Sequence, residues 1–230
     1  MRLISSVVAA GLLLAAASAV QAAVISVNFH GQNQWGGYGS DVTQTAGVIP
    51  VANWNNVPDN SAAPSPLIND AGVSVTGTSM TYTSGGSWRL GTNLSGTPTG
   101  NEQLMQGYID GGVTFTVAGL NYPNYSLVVY YNKENWPGTL SGTVGSTTYT
   151  GTAQGGWSGT FTQGIDGNSS NYFRFDNLSG SSVTFTGVNG GFGAGVNGFQ
   201  IASGVPEPTS MLVLAGAGML MMGRRRSAKN

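Results

Sequence analysis

Aromatic rings flanked by amides are the side chains of this sequence best suited to binding chemistry. Trp136 ends the polar run of residues 132–136, and Trp157 ends the run of residues 154–157. The apolar face of a sugar ring packs on an aromatic ring, and its hydroxyl groups pair with amides and carboxylates. The candidate binding residues are Trp88, Asn135, Trp136 and Trp157, and further aromatic candidates are Trp35, Tyr38 and Trp54. The alternative is that these rings close the ends of the fold as core.

Groups for catalysis are sparse in this sequence. His30 is the single histidine, so a Ser–His–Asp triad would have to use it, and no Gly-x-Ser-x-Gly turn surrounds a serine. Glycoside hydrolysis needs two carboxylates at a matched separation, and the scattered acidic residues show no pattern that selects a pair. The sequence therefore predicts a protein that is not an enzyme.

Metal binding has one candidate segment. Residues 166–171 are rich in the side-chain and carbonyl oxygens that calcium prefers, but they lack the complete EF-hand pattern. Asx-type turns between strands use the same residues. We therefore predict no cofactor, with calcium at residues 166–171 as the alternative.

Composition excludes several classes of protein. There is no cysteine, so neither disulfides nor zinc–thiolate sites are available. Residues 23–203 contain eight acidic and three basic side chains, a net charge of −5. Nucleic-acid binding draws its affinity largely from Lys and Arg at phosphates, so no nucleic-acid partner is expected.

The N-terminus has the pattern of a secretory signal. Arg2 precedes an apolar stretch over residues 3–20, and Val20-Gln21-Ala22 is typical of a signal-peptidase site. We predict cleavage after Ala22, which makes residues 1–22 a signal peptide and signal peptidase a partner. A retained membrane helix is the alternative.

The C-terminus combines three elements in order. A Pro-Glu-Pro motif is followed by an apolar stretch at residues 211–222 and then by an arginine cluster. The motif residues are Pro206, Glu207, Pro208, Arg224, Arg225 and Arg226. The apolar stretch is short for a span of ~20 residues, and the arginines favour the cytoplasmic side. A short segment of this kind suits transient contact with the membrane before processing.

These three elements resemble the PEP-CTERM sorting signal. The resemblance implies that an exosortase, a membrane-embedded transpeptidase, recognises residues 204–230 and processes the chain near Pro206. It also implies export to the outer surface or extracellular matrix of a Gram-negative bacterium that makes exopolysaccharide. An ordinary single-pass tail anchor is the alternative.

Between the two ends, alternating apolar and polar residues predict an all-β domain over residues 23–203. We expect a single β-sandwich of the jelly-roll kind, flanked by the signal helix and a short hydrophobic helix. The predicted strands lie at residues 24–29, 48–52, 73–83, 113–117, 125–131, 140–144, 147–152, 172–175, 183–186 and 198–201. Residues 102–109 are the only helix-like stretch.

Several pairings also follow from the pattern. The hydrophobic run at residues 125–131 is typical of a central strand buried on both faces. Gly145-Ser146 predicts a tight hairpin between its two flanking strands. Residues 172–175 and 183–186 are expected to pair with each other, and the first strand is expected to pair with the last.

Three segments of the domain resemble exported galactose-binding and malectin-like sandwich modules. They are residues 25–29, 51–56 and 196–201. The resemblance implies association with carbohydrate. We therefore expect a non-catalytic carbohydrate-binding module associated with exopolysaccharide. A purely structural or adhesive surface module is the first alternative, and a glycan-active enzyme is the second.

Overall fold

Two β-sheets pack face to face in this chain. The computed structural model describes residues 23–31, 40–58, 61–90, 97–189 and 193–204. Within them, the first sheet has the strand order β11-β7-β13-β1-β2, with β4 and β5 attached to it, and the second has the order β10-β9-β8-β12-β6-β3. The strands are β1 Val24–Phe29, β2 Asn55–Val57, β3 Ser79–Thr83, β4 Gly86–Arg89, β5 Gly107–Asp110, β6 Val113–Ala118, β7 Tyr125–Asn132, β8 Gly138–Val144, β9 Thr147–Ala153, β10 Asp166–Ser169, β11 Tyr172–Leu178, β12 Ser182–Asn189 and β13 Gly195–Ser203. One short helix, α1, spans Gly100–Leu104.

The topology confirms the predicted all-β sandwich and is that of a jelly roll. The antiparallel set β1-β13-β7-β11 faces the antiparallel set β6-β12-β8-β9. Among the described strands, the chain crosses between the sheets at β2 to β3, β3 to β4, β5 to β6, β6 to β7, β7 to β8, β10 to β11, β11 to β12 and β12 to β13. The two helices predicted to flank the domain lie outside the described residues. No helix among the described residues is long and apolar enough to cross a membrane.

Phenylalanine rings form the centre of the main core between the sheets. The rings of Phe115 and Phe199 stack with centroids 4.3 Å apart, and Phe185 lies 5.1 Å from Phe115. The second sheet contributes every other residue of its central strands, as the alternation in β6 and β12 shows. The sequence pattern of these strands therefore determines which residues enter the core.

A second apolar cluster covers the outer face of the first sheet. Val128 and Tyr130 of β7 point away from the main core and pack with Trp54, Leu104 and Met105. This layer explains why β7 is buried on both faces, as its continuous apolar run predicts. A capping box at α1, in which Thr99 and Glu102 bond to each other's backbone, fixes the helix that contributes to this layer.

Two strand predictions and one pairing prediction are wrong, each for a local or topological reason. Residues 47–50 form a turn, because Gly47 adopts φ +96° and the next two amides bond to side chains of the first sheet. The predicted strand at 73–83 is interrupted by a turn at Gly77, with φ +83°, so β3 begins only at Ser79. Strands β11 and β12 do not pair with each other, because the connection between them crosses from one sheet to the other.

The remaining pairings agree with the sequence. Strands β8 and β9 form the predicted hairpin about Gly145, which has φ +58°. Strand β1 pairs antiparallel with β13, and Ser203 N–H donates to the Ala23 carbonyl at 3.1 Å. Residues 102–109 divide into the end of α1 and strand β5. Both ends of the described domain therefore lie side by side at one end of the sandwich.

Candidate functional site

The candidate residues Trp88, Asn135 and Trp136 lie at the end of the sandwich opposite to Ala23 and Gly204. Pairing registers locate this end. Gly195 at the start of β13 is opposite Asn132 at the end of β7, and Val196 is opposite Ile109 of β5. Asn189 at the end of β12 is opposite Leu140 near the start of β8. We call this end, with Trp88, Asp110, Lys133, Asn135 and Trp136, the loop-end site.

Trp136 is held outward by a tight turn between β7 and β8. Its backbone N–H donates to the Glu134 carbonyl at 2.7 Å, and Asn135 between them adopts φ +62°. A bond to the residue two positions back around a positive-φ residue is a strained turn that surrounding structure must maintain. The Trp136 side chain is 54% exposed. A large aromatic ring is thus presented to solvent on a fixed backbone.

Two glycines after β9 clamp this turn. Gly156 N–H donates to the Lys133 carbonyl at 2.7 Å, and Gly156 has φ +85°. Gly155, with φ +87°, passes so close that an added Cβ would lie 2.8 Å from the Trp136 nitrogen. Only glycine combines this conformation with this approach. The segment following β9 therefore positions the loop that carries Trp136.

Trp88 and Asp110 form a polar pair across the antiparallel strands β4 and β5. The indole Nε1–H of Trp88 donates to Asp110 Oδ1 at 2.9 Å. Burial raises the pKa of Asp110, while the Trp88 bond and the positive charge of Lys133 oppose that rise. The other carboxylate oxygen accepts no hydrogen bond from the described residues. Trp88 therefore orients a carboxylate and leaves one oxygen available.

Lys133 is buried along its stem at the end of β7, with only 7% of its surface exposed. Its backbone N–H donates to Asn132 Oδ1 at 2.8 Å, and its side-chain carbons lie against Gly138. The ammonium makes no hydrogen bond or ion pair with the described residues. It is not fully buried, so solvent reaches it. The fold thus brings a positive charge to the surface beside Asp110.

Tyr108 lies beneath the same end and joins its parts. It is the cross-strand partner of Trp88, and Gly195 packs against its ring. Burial raises the pKa of Tyr108, and the negative charges of Glu134 and Asp110 raise it further. The phenol therefore stays protonated. Among the described residues, Glu134, Asp110 and Lys133 are the charged side chains that act on Tyr108 or Asp110.

Trp157 has a different environment from the other candidates. Its ring centroid is 4.7 Å from that of Phe161, and Phe161 lies 5.2 Å from Tyr130. These contacts place Trp157 in the cover over the outer face of the first sheet. Trp54 is also buried there, with its Nε1–H donated to the Val51 carbonyl at 3.1 Å. Trp54 is buried in this cluster, and Trp157 is half-buried against it. Both rings thus pack against the fold, as the alternative to sugar binding describes.

Asp110 and Lys133 were not singled out by sequence reasoning. Asp110 is the last residue of β5, Lys133 directly follows β7, and Lys133 lies in the same polar run as Trp136. Their association depends on β5 joining β13 at Val196, a pairing that has no local signal. Trp35, Tyr38, Pro206, Glu207, Pro208, Arg224, Arg225 and Arg226 lie outside the described residues.

The other candidates have local roles in the structure. His30 directly follows β1, and its ring contacts the Asp41 carboxylate. In the calcium candidate, Asn168 accepts from Ile165 N–H at 3.0 Å and donates to the Gln163 carbonyl at 2.9 Å, so its amide is used within its own loop. No group of three His, Cys, Asp or Glu side chains converges in the part of the chain described.

One surface groove is lined by residues other than those that define the loop-end site. It has a volume of about 490 Å³ and runs along β3 at the edge of the second sheet. Its lining includes Ala63, Met80 and Tyr82, and the Tyr82 hydroxyl donates to the Ser61 carbonyl at 3.1 Å. No pair of carboxylates lies among its lining residues.

Comparison with known proteins adds little to this description. No family model matches the chain, and no curated protein matches it. Among solved structures, the chain is similar to Bacteroides uniformis beta-glucuronidase 2 covalently bound to cyclophellitol-6-carboxylate aziridine, with a TM-score of 0.44 and 14% identity. The match covers 79% of this chain and 18% of that chain. The molecule is thus defined by its own fold and site, as a jelly-roll protein with a polar aromatic loop end.

Proposed function

We propose that this chain is an exported, exosortase-processed surface or matrix protein whose sandwich is a non-catalytic carbohydrate-binding module associated with exopolysaccharide. The observation that carries the binding proposal is Trp136, exposed on a strained turn beside Lys133 and the Trp88–Asp110 pair. An exposed indole contributes less hydrophobic stabilisation to the fold than a buried indole does. A fold that maintains this arrangement offers an apolar platform with donors and acceptors beside it, which matches the two faces of a sugar.

The positions of Ala23 and Gly204, where the described domain begins and ends, support the same proposal. Ala23 and Gly204 lie together at the far end of the sandwich from Trp136, as the Ser203–Ala23 and Gly204–Asn124 bonds show. A chain attached to the cell surface beyond Gly204 would leave the domain from that far end. Under the proposal, the loop-end site is consequently free to meet polysaccharide.

Binding of polysaccharide predicts a large effect of Trp136→Ala. The full-length protein is expected to bind exopolysaccharide or its oligosaccharides saturably, and Trp136→Ala is expected to weaken binding by about 10- to 100-fold, because a stacked aromatic anchor contributes ~1–3 kcal/mol. Tryptophan fluorescence titration with a glycan panel, with and without calcium, measures this. The calcium arm tests the metal alternative at residues 166–171.

Two controls separate lost contact from lost folding. Val188→Ala removes an exposed apolar side chain from the outer face of β12 and is expected to leave binding unchanged. Trp136→Ala should unfold at the same urea concentration as the parent protein, because more than half of the Trp136 surface is exposed to solvent. A well-folded parent that binds no glycan would remove the binding proposal and leave the structural or adhesive alternative.

Export and processing rest on the two terminal segments of the sequence. The protein isolated from the cell surface or medium is expected to begin at Ala23 and to lack residues beyond the Pro206–Pro208 region. Intact-mass spectrometry of that material, compared with material from a strain without exosortase, measures both changes. Recovery of an intact Arg224–Arg226 cluster on the surface protein of an exosortase-positive strain would contradict the processing proposal.

A further inference from the structure

The charges of the loop-end site distinguish between classes of sugar. Asp110 and Glu134 are acidic, and Lys133 is the only basic side chain among the residues that influence Asp110 or Tyr108. The surrounding domain carries a net charge of −5 over residues 23–203. A ligand with its own carboxylate would meet Asp110 and Glu134 as like charges and Lys133 as an opposite charge. Like-charge contacts across an interface disfavour binding, most strongly where water is excluded.

Neutral hydroxyl groups match the same site. A sugar hydroxyl both donates and accepts, so one hydroxyl can donate to a carboxylate while another accepts from an ammonium. Asp110 Oδ1 is held by Trp88, which leaves Oδ2 to accept. The Lys133 ammonium makes no bond within the described residues, although its stem is packed against Gly138. A sugar hydroxyl oxygen would accept a charge-assisted hydrogen bond from this ammonium.

We propose that the loop-end site binds a neutral pyranose, with Asp110 accepting and Lys133 donating hydrogen bonds to its hydroxyl groups and Trp136 stacking on its apolar face. Uronic acids are excluded by Asp110 and Glu134. The inference rests on the proposed carbohydrate-binding function and adds the charge class of the ligand and the roles of two residues. It also gives the Trp88–Asp110 bond a purpose, because that bond fixes the carboxylate before the ligand arrives.

The test uses matched pairs of oligosaccharides. Gluco-, galacto- and manno-configured oligosaccharides are compared with the same chains oxidised at C6 to uronates, using the full-length protein and isothermal titration calorimetry. At least one neutral chain is expected to bind at least about tenfold more tightly than its uronate partner, and this preference should shrink as salt is raised. Tighter binding of a uronate would overturn the inference while leaving a carbohydrate-binding module. Absence of binding by every chain would instead overturn the proposed function.

Two variants test the residue roles. Asp110→Asn keeps the shape of the side chain but replaces the carboxylate, and Lys133→Met keeps most of the stem but removes the ammonium. Each is expected to weaken binding of the neutral chain by about 10- to 100-fold, because hydrogen bonds to charged groups are the stronger ones. Asp110→Asn should also reduce the discrimination against uronates. Full affinity in a folded Asp110→Asn protein, alongside loss in Trp136→Ala, would overturn the role of Asp110.

Discussion

Replacing Phe115 with alanine is expected to lower the free energy of unfolding by about 3 to 5 kcal/mol. The Phe115 side chain has 0% exposure and stacks between Phe199 of the first sheet and Phe185 of its own. Truncation removes ring contacts from both sheets and leaves a cavity that the flanking strands restrict from closing. Urea unfolding followed by tryptophan fluorescence measures the change through a lower midpoint at an unchanged slope.

The matched control for Phe115→Ala is Val188→Ala. Val188 is 62% exposed on the outer face of the same sheet, so its truncation should change stability by no more than about 0.5 kcal/mol. A loss below about 1.5 kcal/mol for Phe115→Ala would show that the two sheets do not meet at this ring stack. That result would contradict the packing described for the main core.

Replacing Gln200 with leucine is expected to cost about 3 to 5 kcal/mol, although it makes the strand more apolar. The Gln200 amide donates to the Ile49 carbonyl at 2.8 Å and to Ser26 Oγ at 3.1 Å, and it accepts from Ile49 N–H at 3.2 Å. It also accepts from the Tyr130 hydroxyl, which itself accepts from Val48 N–H at 2.7 Å. Leucine would leave several of these buried groups without partners, each costing ~1–3 kcal/mol.

Hydrogen exchange distinguishes this mechanism from a simple packing defect. The Val48 and Ile49 amides should exchange much faster in Gln200→Leu, because the turn at residues 47–50 loses its attachment to the first sheet. Gln154→Leu is the matched control, since Gln154 is exposed and, among the described residues, its side-chain amide bonds to the Thr152 carbonyl alone. It should change stability by no more than about 0.5 kcal/mol. Unaltered exchange at Val48 and Ile49 in Gln200→Leu would contradict the attachment.

Burial determines the protonation state of Tyr130, which belongs to the Gln200 network. Burial raises the pKa of this phenol, while the bond from Val48 N–H lowers it. The hydroxyl therefore remains protonated at neutral pH and continues to donate to Gln200. Because the turn at residues 47–50 depends on this donor, the cover over the outer face of the first sheet is fixed by polar bonds as well as by apolar packing.

The sequence predicted local structure where a single segment contains the whole signal. The alternation of Val113, Phe115 and Val117 predicted β6 and the face that enters the core, because successive side chains in a strand point to opposite faces. Gly145-Ser146 predicted a hairpin, because its register depends only on the turn and the two adjacent strands. The turn at Gly77 was missed, although the apolar positions change phase across it, from Val73 and Val75 to Met80 and Tyr82.

Part of the candidate site was also visible in the sequence. Trp136 and Asn135 stood out because aromatic and amide residues lie together in one polar run, and the structure places both on an exposed turn. Trp157 shares the same sequence signal but packs on Phe161. Composition around a tryptophan therefore identifies a loop, whereas exposure depends on what that loop lies against.

The sequence by itself determined an all-β domain and the core-facing residues of its alternating strands, because period-two alternation is a local property. The two terminal sorting segments are predictions from short motifs. Tertiary structure decided that β11 and β12 belong to different sheets, that a turn covers the outer face at Gln200, and that Asp110 comes beside Lys133. Each of these depends on pairing between segments far apart in the chain. Such pairing depends on how whole sheets pack, and the sequence of a single segment does not determine it.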